Sequence, residues 1–363
     1  MNFIDEFRDK NTLLALKTLI EKEAKKPLNI MEICGGHTHS IMKYALSELL
    51  PKEINFIHGP GCPVCVMPRS RIDTALKLAA QDGVIFCTLG DLLRVRGSEL
   101  SLQELRARGA DVRALYSPLE VLQIAAENAD KKIIFFAIGF ETTTPMSALL
   151  LEKILEQELK NVYFFSNHIT VPAAVETIMS DEAVKIDAFL GPSHVSVITG
   201  YEIFTPLAQK FQTPIAVSGF EPVDIMEGVL DVVRQCNEGR AEVFNQYSRA
   251  VSAGGNERAK NLVARYFKPC DFEFRGLGVI LNSGLELREE FADLDARKHF
   301  DCEVVSKKES KACLCPQILR GLAKPYDCKV FGTACTPKNP IGSCMVSGEG
   351  ACAAYYKYGF RER

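Results

Sequence analysis

From residue 29 to about residue 220, short β-rich apolar runs alternate with amphipathic stretches, and nearly every run empties into a polar, usually glycine-bearing turn. The runs fall at 29–33, 54–57, 84–87, 133–138, 162–165, 188–190 and 215–217, with helical periodicity over 71–81, 119–128 and 146–155. No other feature narrows the fold as far. Apolar strands separated by helices predict parallel sheets covered on both faces. In such folds the turns after the strands gather at the C-terminal edge, where ligands bind. One such edge, or two facing ones, would collect Cys34, His37, Cys62, Cys65, Glu141, His168, His194 and Glu221.

Length then sets the number of units. With 363 residues the chain is too long for one core and predicts two or three domains. The expected class is α/β: two doubly wound parallel-sheet lobes facing a cleft, plus a helical and irregular cysteine-rich domain formed by the chain termini. The expected division is 29–130 with 213–236, then 131–212, then 1–28 with 237–363. A helix is expected over 12–25, another over 40–50, and an interrupted helical stretch over 240–267 before an irregular tail. Gly139-Phe140-Glu141 and Gly219-Phe220-Glu221, each with Met five residues after its Glu, hint at internal duplication.

A net charge of −3 without a polybasic tract excludes nucleic-acid binding as the main task. The first residues lack the pattern of a signal peptide, and no apolar run reaches the ~18 residues a membrane span needs. A cytoplasmic location is therefore expected, where thiols stay reduced. Thirteen cysteines in that setting argue for metal or redox use.

Seven of the thirteen lie in the last 62 residues, and four of these are spaced Cys313, fourteen residues, Cys328, six, Cys335, sixteen, Cys352. Four thiolates on a glycine- and proline-rich backbone suit an iron–sulfur cluster. Zinc competes, although its usual close C-x-x-C pairs are missing from the four, and unligated thiols are the third reading. Cys315 and Cys344 remain, as a redox pair or as plain buried thiols. Cys34, in Cys34-Gly35-Gly36-His37-Thr38-His39, is expected at a helix start with a lowered pKa, as nucleophile or metal ligand; an ordinary buried Cys is the alternative. His37 and His39 would coordinate or exchange protons. Cys62-Pro63-Val64-Cys65 serves redox chemistry or half a metal site. In Gly139–Pro145, Thr144 is expected as N-cap with Pro145 opening the helix, and Glu141 is a cleft candidate. Phosphate loops, dinucleotide fingerprints and hydrolase elbows are absent from the sequence.

Together, Glu32-Ile33-Cys34-Gly35-Gly36-His37-Thr38-His39-Ser40, Gly59-Pro60-Gly61-Cys62-Pro63-Val64-Cys65, Gly139–Pro145 and the four-cysteine tail resemble the HypD family of [NiFe]-hydrogenase maturation proteins. The resemblance spans nearly the whole chain. It implies a scaffold on which the Fe(CN)2CO group of the hydrogenase large subunit is assembled. Cys34 would hold the iron, which carries CN and CO, jointly with a cysteine of the chaperone HypC. Cyanide would arrive through HypE, charged by HypF. Cys62 and Cys65 would form a redox pair, His37 would sit near the iron, and Cys313, Cys328, Cys335 and Cys352 would ligate a [4Fe–4S] cluster. Two other classes compete: a cluster-dependent protein disulfide reductase using Cys62 and Cys65, and a zinc-stabilised binding module.

Overall fold

The structure, a computed structural model, describes residues 4–307 and 310–359. Among these residues eleven strands form two sheets. They are β1 (Leu28–Glu32), β2 (Ile54–His58), β3 (Val84–Leu89), β4 (Val112–Leu115), β5 (Lys132–Gly139), β6 (Val162–Ile169), β7 (Ala188–Pro192), β8 (Ile215–Ser218), β9 (Val243–Asn245), β10 (Phe267–Phe274) and β11 (Gly278–Leu287). The first sheet runs β2-β1-β7-β8-β9 and is parallel throughout. The second runs β10-β11-β6-β5-β3-β4, parallel from β6 to β4, with β10 and β11 added as an antiparallel hairpin. The expected α/β class is what forms. Central strands such as β5, buried at every position after Lys132, read as unbroken apolar runs because both of their faces are covered.

Strand membership departs from the expected division. The strands at 84–89 and 112–115, placed with Cys34 by the sequence reading, pair in the second sheet, and 188–192 pairs beside β1 in the first. The pairing of β1 with β2, that of β5 with β6, and the place of the strand near 215 in the first sheet follow the expected division. The chain thus visits the first sheet, the second, the first again and the second again. Chain order alone carries no record of such returns, because each strand presents the same apolar signature. Both sheets share one pattern, in which strand order reverses between β1 and β7 and again between β3 and β5. The two Gly-Phe-Glu turns follow β5 and β8, which hold different places in that pattern, so they are not equivalent positions of a repeat.

Helix Lys10–Glu23, capped by the Asp9 side chain, buries Leu16 and Ile20 against Leu28, Ile30, Val229 and Val233 of the first lobe. The expectation had joined it to the cysteine-rich tail; its apolar stripe instead finds the first sheet and the helix Pro222–Glu238. Arg8 adds a two-pronged ion pair to Glu221 at 2.5 and 2.8 Å. The expected helix over 240–267 resolves into β9, a turn and the helix Glu257–Tyr266. Part of the tail is likewise regular, since Phe267, Phe272 and Phe274 of β10 turn inward and extend the second sheet. A central core then joins Phe86, Phe136 and Phe165 of the second sheet to Phe189 and Val217 of the first. It also takes in Ile318, Met345 and Tyr355 of the tail.

Candidate metal and thiol centre

The turn after β1 brings the chain round to the helix Gly35–Lys43, with Cys34 as its extended N-cap residue (φ −143°, ψ 124°). The helix begins five residues earlier than expected and breaks at Ala45, which holds a left-handed φ of 50° before the short helix Leu46–Leu49. Gly61, in the turn after β2, lies so close to the Cys34 backbone that a Cβ there would overlap it, and Gly35 N–H donates to the Gly61 carbonyl at 3.1 Å. Glycine at 61 is thus a packing requirement. It lets the Cys34 turn and the turn leading to Cys62 lie against one another.

Both sheets direct their C-terminal edges at one cavity of about 110 Å³. The first sheet contributes Cys34, Gly61, Pro63 and His194; the second contributes Phe140, Thr142, Thr143 and Val171; the tail contributes Glu349. Turns from both strand-order reversals, after β1 and β7 and after β5, therefore meet here. Burial pushes the Cys34 thiol up to about 12; the Glu349 carboxylate adds to this, and the Gly36 and His37 amides oppose it only in part. The sequence reading expected the helix N-terminus to lower this pKa. Desolvation wins because the sulfur is only 7% exposed and an acid stands beside it. Such a thiol is a poor free nucleophile at neutral pH and becomes a thiolate when a cation replaces its proton.

The remaining turn residues divide. His37 is fully buried and turns away from the cavity, its Nε2 donating to the carbonyls of Ser218 (2.8 Å) and Gly219 (3.1 Å). Burial brings its pKa down to about 4, so it is a neutral ring. The imidazole that lines the cavity is His194, stacked on Phe220 with centroids 4.2 Å apart. Phe220 also packs on His37, at 4.9 Å. His39 meets the Tyr358 hydroxyl at 3.2 Å. Glu141 accepts the Val171 N–H at 3.0 Å and so caps the helix Val171–Met179, while Glu221 caps Pro222–Glu238. Thr143, not Thr144, is the N-cap of the helix Thr144–Glu156, and the Thr144 hydroxyl bonds back to the Phe140 carbonyl at 2.9 Å. His168 is buried on β6 against Phe267. Glu349 was missed by the sequence reading. It lies 315 positions from Cys34 in a segment singled out only for its thiols, and no local pattern marks it.

Behind the cavity the thiols form a row. Cys62 caps the short helix Pro63–Val66, where Cys65 N–H points at the Cys62 sulfur at 3.4 Å. The free Cys65 thiol neighbours those of Cys62 and Cys344, Cys344 neighbours Cys315, and Cys315 neighbours Cys313. Cys344 N–H adds a 3.4 Å contact to the Cys315 sulfur. A clamp holds the junction: Ser343 Oγ donates to the Cys65 carbonyl at 2.8 Å and accepts from Arg275 Nη1 at 2.8 Å. Arg275 N–H in turn donates to the Val66 carbonyl at 2.7 Å. Separations of up to 279 positions in sequence thus collapse to neighbouring sulfurs.

At the far end of the row, Cys313, Cys328, Cys335 and Cys352 lie within electrostatic reach of one another. Burial, then the sulfurs of Cys315, Cys313, Cys335 and Cys328, push the Cys352 thiol well up. Gly342 has no room for a Cβ beside the Cys313 sulfur, and Ile341 N–H donates to Cys335 Sγ at 3.3 Å. Four thiols with amide donors aimed at sulfur are a donor set that fits an iron–sulfur cluster. Among the described residues, no three His, Cys, Asp or Glu side chains converge to hold a single metal ion. Among the same residues no helix is long and apolar enough to cross a membrane.

Fold and site define a two-sheet α/β protein whose inter-sheet cavity is lined by Cys34 from one end of the chain and Glu349 from the other. The family model HypD, described as "Hydrogenase formation hypA family", matches residues 10–359. The hydrogenase maturation factor HypD of Azotobacter vinelandii is 51% identical over 368 residues, covering 99% of this chain and 97% of that protein. Its namesakes in Rhodobacter capsulatus and Escherichia coli K12 are 44% and 43% identical, each match covering 99% of this chain and 98% of the relative. The chain belongs to the HypD family of hydrogenase maturation factors.

Proposed function

We propose that the cavity beside Cys34 is where the Fe(CN)2CO group of [NiFe] hydrogenase is assembled, before its transfer toward the large subunit. Cys34 grips the iron together with a cysteine from a HypC-type chaperone, and cyanide is delivered by HypE after charging by HypF. The observation that carries this reading is the meeting of one buried, cavity-lining thiol with an unbroken thiol row that ends behind the same cavity. Low-spin iron carrying cyanide and carbon monoxide favours soft thiolate ligands. The hydroxyls of Thr142 and Thr143 and the His194 ring supply polar contacts for cyanide nitrogens. Because Cys34 must shed a proton to bind, iron uptake releases a proton at that sulfur.

The row moves electron pairs by thiol exchange. Although the Cys315 contact opposes it, the Cys65 contact and burial hold the Cys344 thiol well above its ordinary pKa. Cys344 therefore attacks Cys65 of an oxidised Cys62–Cys65 pair as its proton leaves, forming a mixed disulfide and releasing Cys62 as thiolate. Cys315 then attacks Cys344, freeing Cys65 and leaving a Cys315–Cys344 disulfide. Two electrons have passed toward the cavity, and two protons return to Cys62 and Cys65. A [4Fe–4S] cluster held by Cys313, Cys328, Cys335 and Cys352 would supply one-electron chemistry at the outer end.

A pure disulfide reductase would use the same row but would need no cavity-lining Cys34. Protein purified without oxygen and mixed with its HypC-type chaperone tests the difference. The scaffold reading expects acid-labile sulfide together with infrared bands of iron-bound cyanide and carbon monoxide. Sulfide without those bands supports the reductase, and zinc without sulfide supports the binding module.

A further inference from the structure

Beneath Cys34 lies a buried polar chain that the scheme above leaves unused. Glu32 closes β1 and His58 closes β2, and the two are directly paired in the sheet register. Their side chains are 1% and 2% exposed, and His58 Nδ1 meets Glu32 Oε1 at 2.6 Å. The same carboxylate accepts the Cys34 N–H at 3.3 Å and the Thr38 hydroxyl one turn into the helix that Cys34 caps. On its other side, His58 Nε2 lies 2.9 Å from the Tyr355 hydroxyl, and the two rings pack edge to face at 5.1 Å. With Nδ1–H donated to Glu32, Nε2 is free to accept from the tyrosine O–H.

Tyr355 belongs to the helix Ala351–Tyr358 and stands three residues after Cys352, on the same face. A carboxylate buried this deeply is costly unless its oxygens are satisfied, and a sheet end facing an apolar core does not require one. Here every partner of Glu32 lies either in the Cys34 turn or on the path to the Cys352 helix. Gly35 reinforces the contact, since it lies directly against the Glu349 backbone two residues before that helix.

We propose that Tyr355, His58 and Glu32 are positioning residues that tie the Cys34 turn to the helix carrying Cys352, so that the iron-accepting thiol is set in place only when the four-cysteine group is loaded. The proposal rests on reading that group as a cluster site. Anchoring Cys352 fixes the first turn of its helix and hence the tyrosine hydroxyl. The hydroxyl orients the imidazole, the imidazole orients the carboxylate, and the carboxylate holds the Cys34 amide. Loading at one end would thereby be signalled to the other without any electron moving.

Alkylation of Cys34 by iodoacetamide, followed by peptide mass spectrometry on the full chain before and after chelator removal of iron and sulfide, tests this. In the unaltered protein the Cys34 rate should change about fivefold on removal, the scale of one hydrogen bond. In Tyr355→Phe the change should shrink to within about twofold, while iron and sulfide contents and the melting temperature of the loaded protein stay near normal. His58→Asn keeps a donor near Glu32 but cannot reach Tyr355, and should behave as Tyr355→Phe does. A full fivefold response in Tyr355→Phe would overturn the proposal. So would an unaltered protein that contains sulfide yet shows no response, and that result leaves the cluster reading standing. Protein lacking acid-labile sulfide removes the cluster reading and the proposal together.

Discussion

The turn that presents Cys34 and the segment that runs from Cys313 to Cys352 are built on opposite principles. Cys34 stands at the junction of a buried parallel strand and a nine-residue helix, pinned by Gly61 and by the Glu32 carboxylate. Its position is a consequence of the sheet. Apart from Cys352, in the helix Ala351–Tyr358, the later thiols sit on loops punctuated by helices of three to five residues at Cys315–Leu319, Pro325–Asp327 and Ser343–Met345. Little regular hydrogen bonding fixes those loops, so a bound metal group is what would make them rigid. One centre is therefore framed by the sheet before its iron arrives, with only its final setting left to the loading of the other, and the other is completed by its own metal group.

The sharpest test of that difference is Cys34→Ala. It should abolish iron-bound cyanide and carbon monoxide infrared bands in the chaperone complex while leaving iron and sulfide in the tail unchanged; surviving bands would remove Cys34 as ligand. Next in size, Cys344→Ser interrupts the row between the two regions. It should slow reduction of a Cys62–Cys65 disulfide about a hundredfold in a stopped-flow alkylation assay, because no neighbouring thiolate can then attack Cys65. An unchanged rate would mean that electrons enter elsewhere.

Smaller effects probe the prepared half alone. Gly61→Ala forces a Cβ into the Cys34 backbone and should cost about 2 kcal/mol in urea denaturation, with the tail's iron content unaffected. Glu141 gives a pH signature. Burial raises its carboxyl from 4.5 to about 7, so the folded protein retains a proton that the unfolded chain releases. Stability from this group is present below the ordinary carboxylate pKa, falls between about pH 4.5 and 7, and is level above. Because Glu141 is half-buried, Glu141→Gln should recover about 1–2 kcal/mol at pH 8 relative to pH 5. Parallel pH profiles for the two proteins would contradict this assignment.

The prepared half was also the legible half. Alternating apolar runs and glycine turns announced the parallel sheets and placed Cys34, Cys62 and Glu141 at strand ends, because those signals are local. What escaped the sequence was non-local. The exchange of β3 and β7 between sheets depends on which faces meet after long excursions of the chain. Glu349 enters the cavity from a loop whose glycines and thiols concealed it. His37 and His194 look alike in sequence, each in a turn just beyond a strand, yet His194 lines the cavity and His37 is turned back toward Ser218. The Cys34 thiol was expected to be acidic from its helix position alone, and burial reversed the sign. The four-cysteine spacing picked out a candidate donor set, but not the row through Cys315 and Cys344 that runs from it to Cys65.

That junction is where the account is most exposed. A Cys62→Ser, Cys315→Ser double variant leaves Cys65 and Cys344 as mutual neighbours without their other partners. After mild oxidation of the full chain, peptide mapping should recover a Cys65–Cys344 disulfide as the main cross-link. Free Cys65, or its capture by any other cysteine, would contradict a continuous path between the two centres.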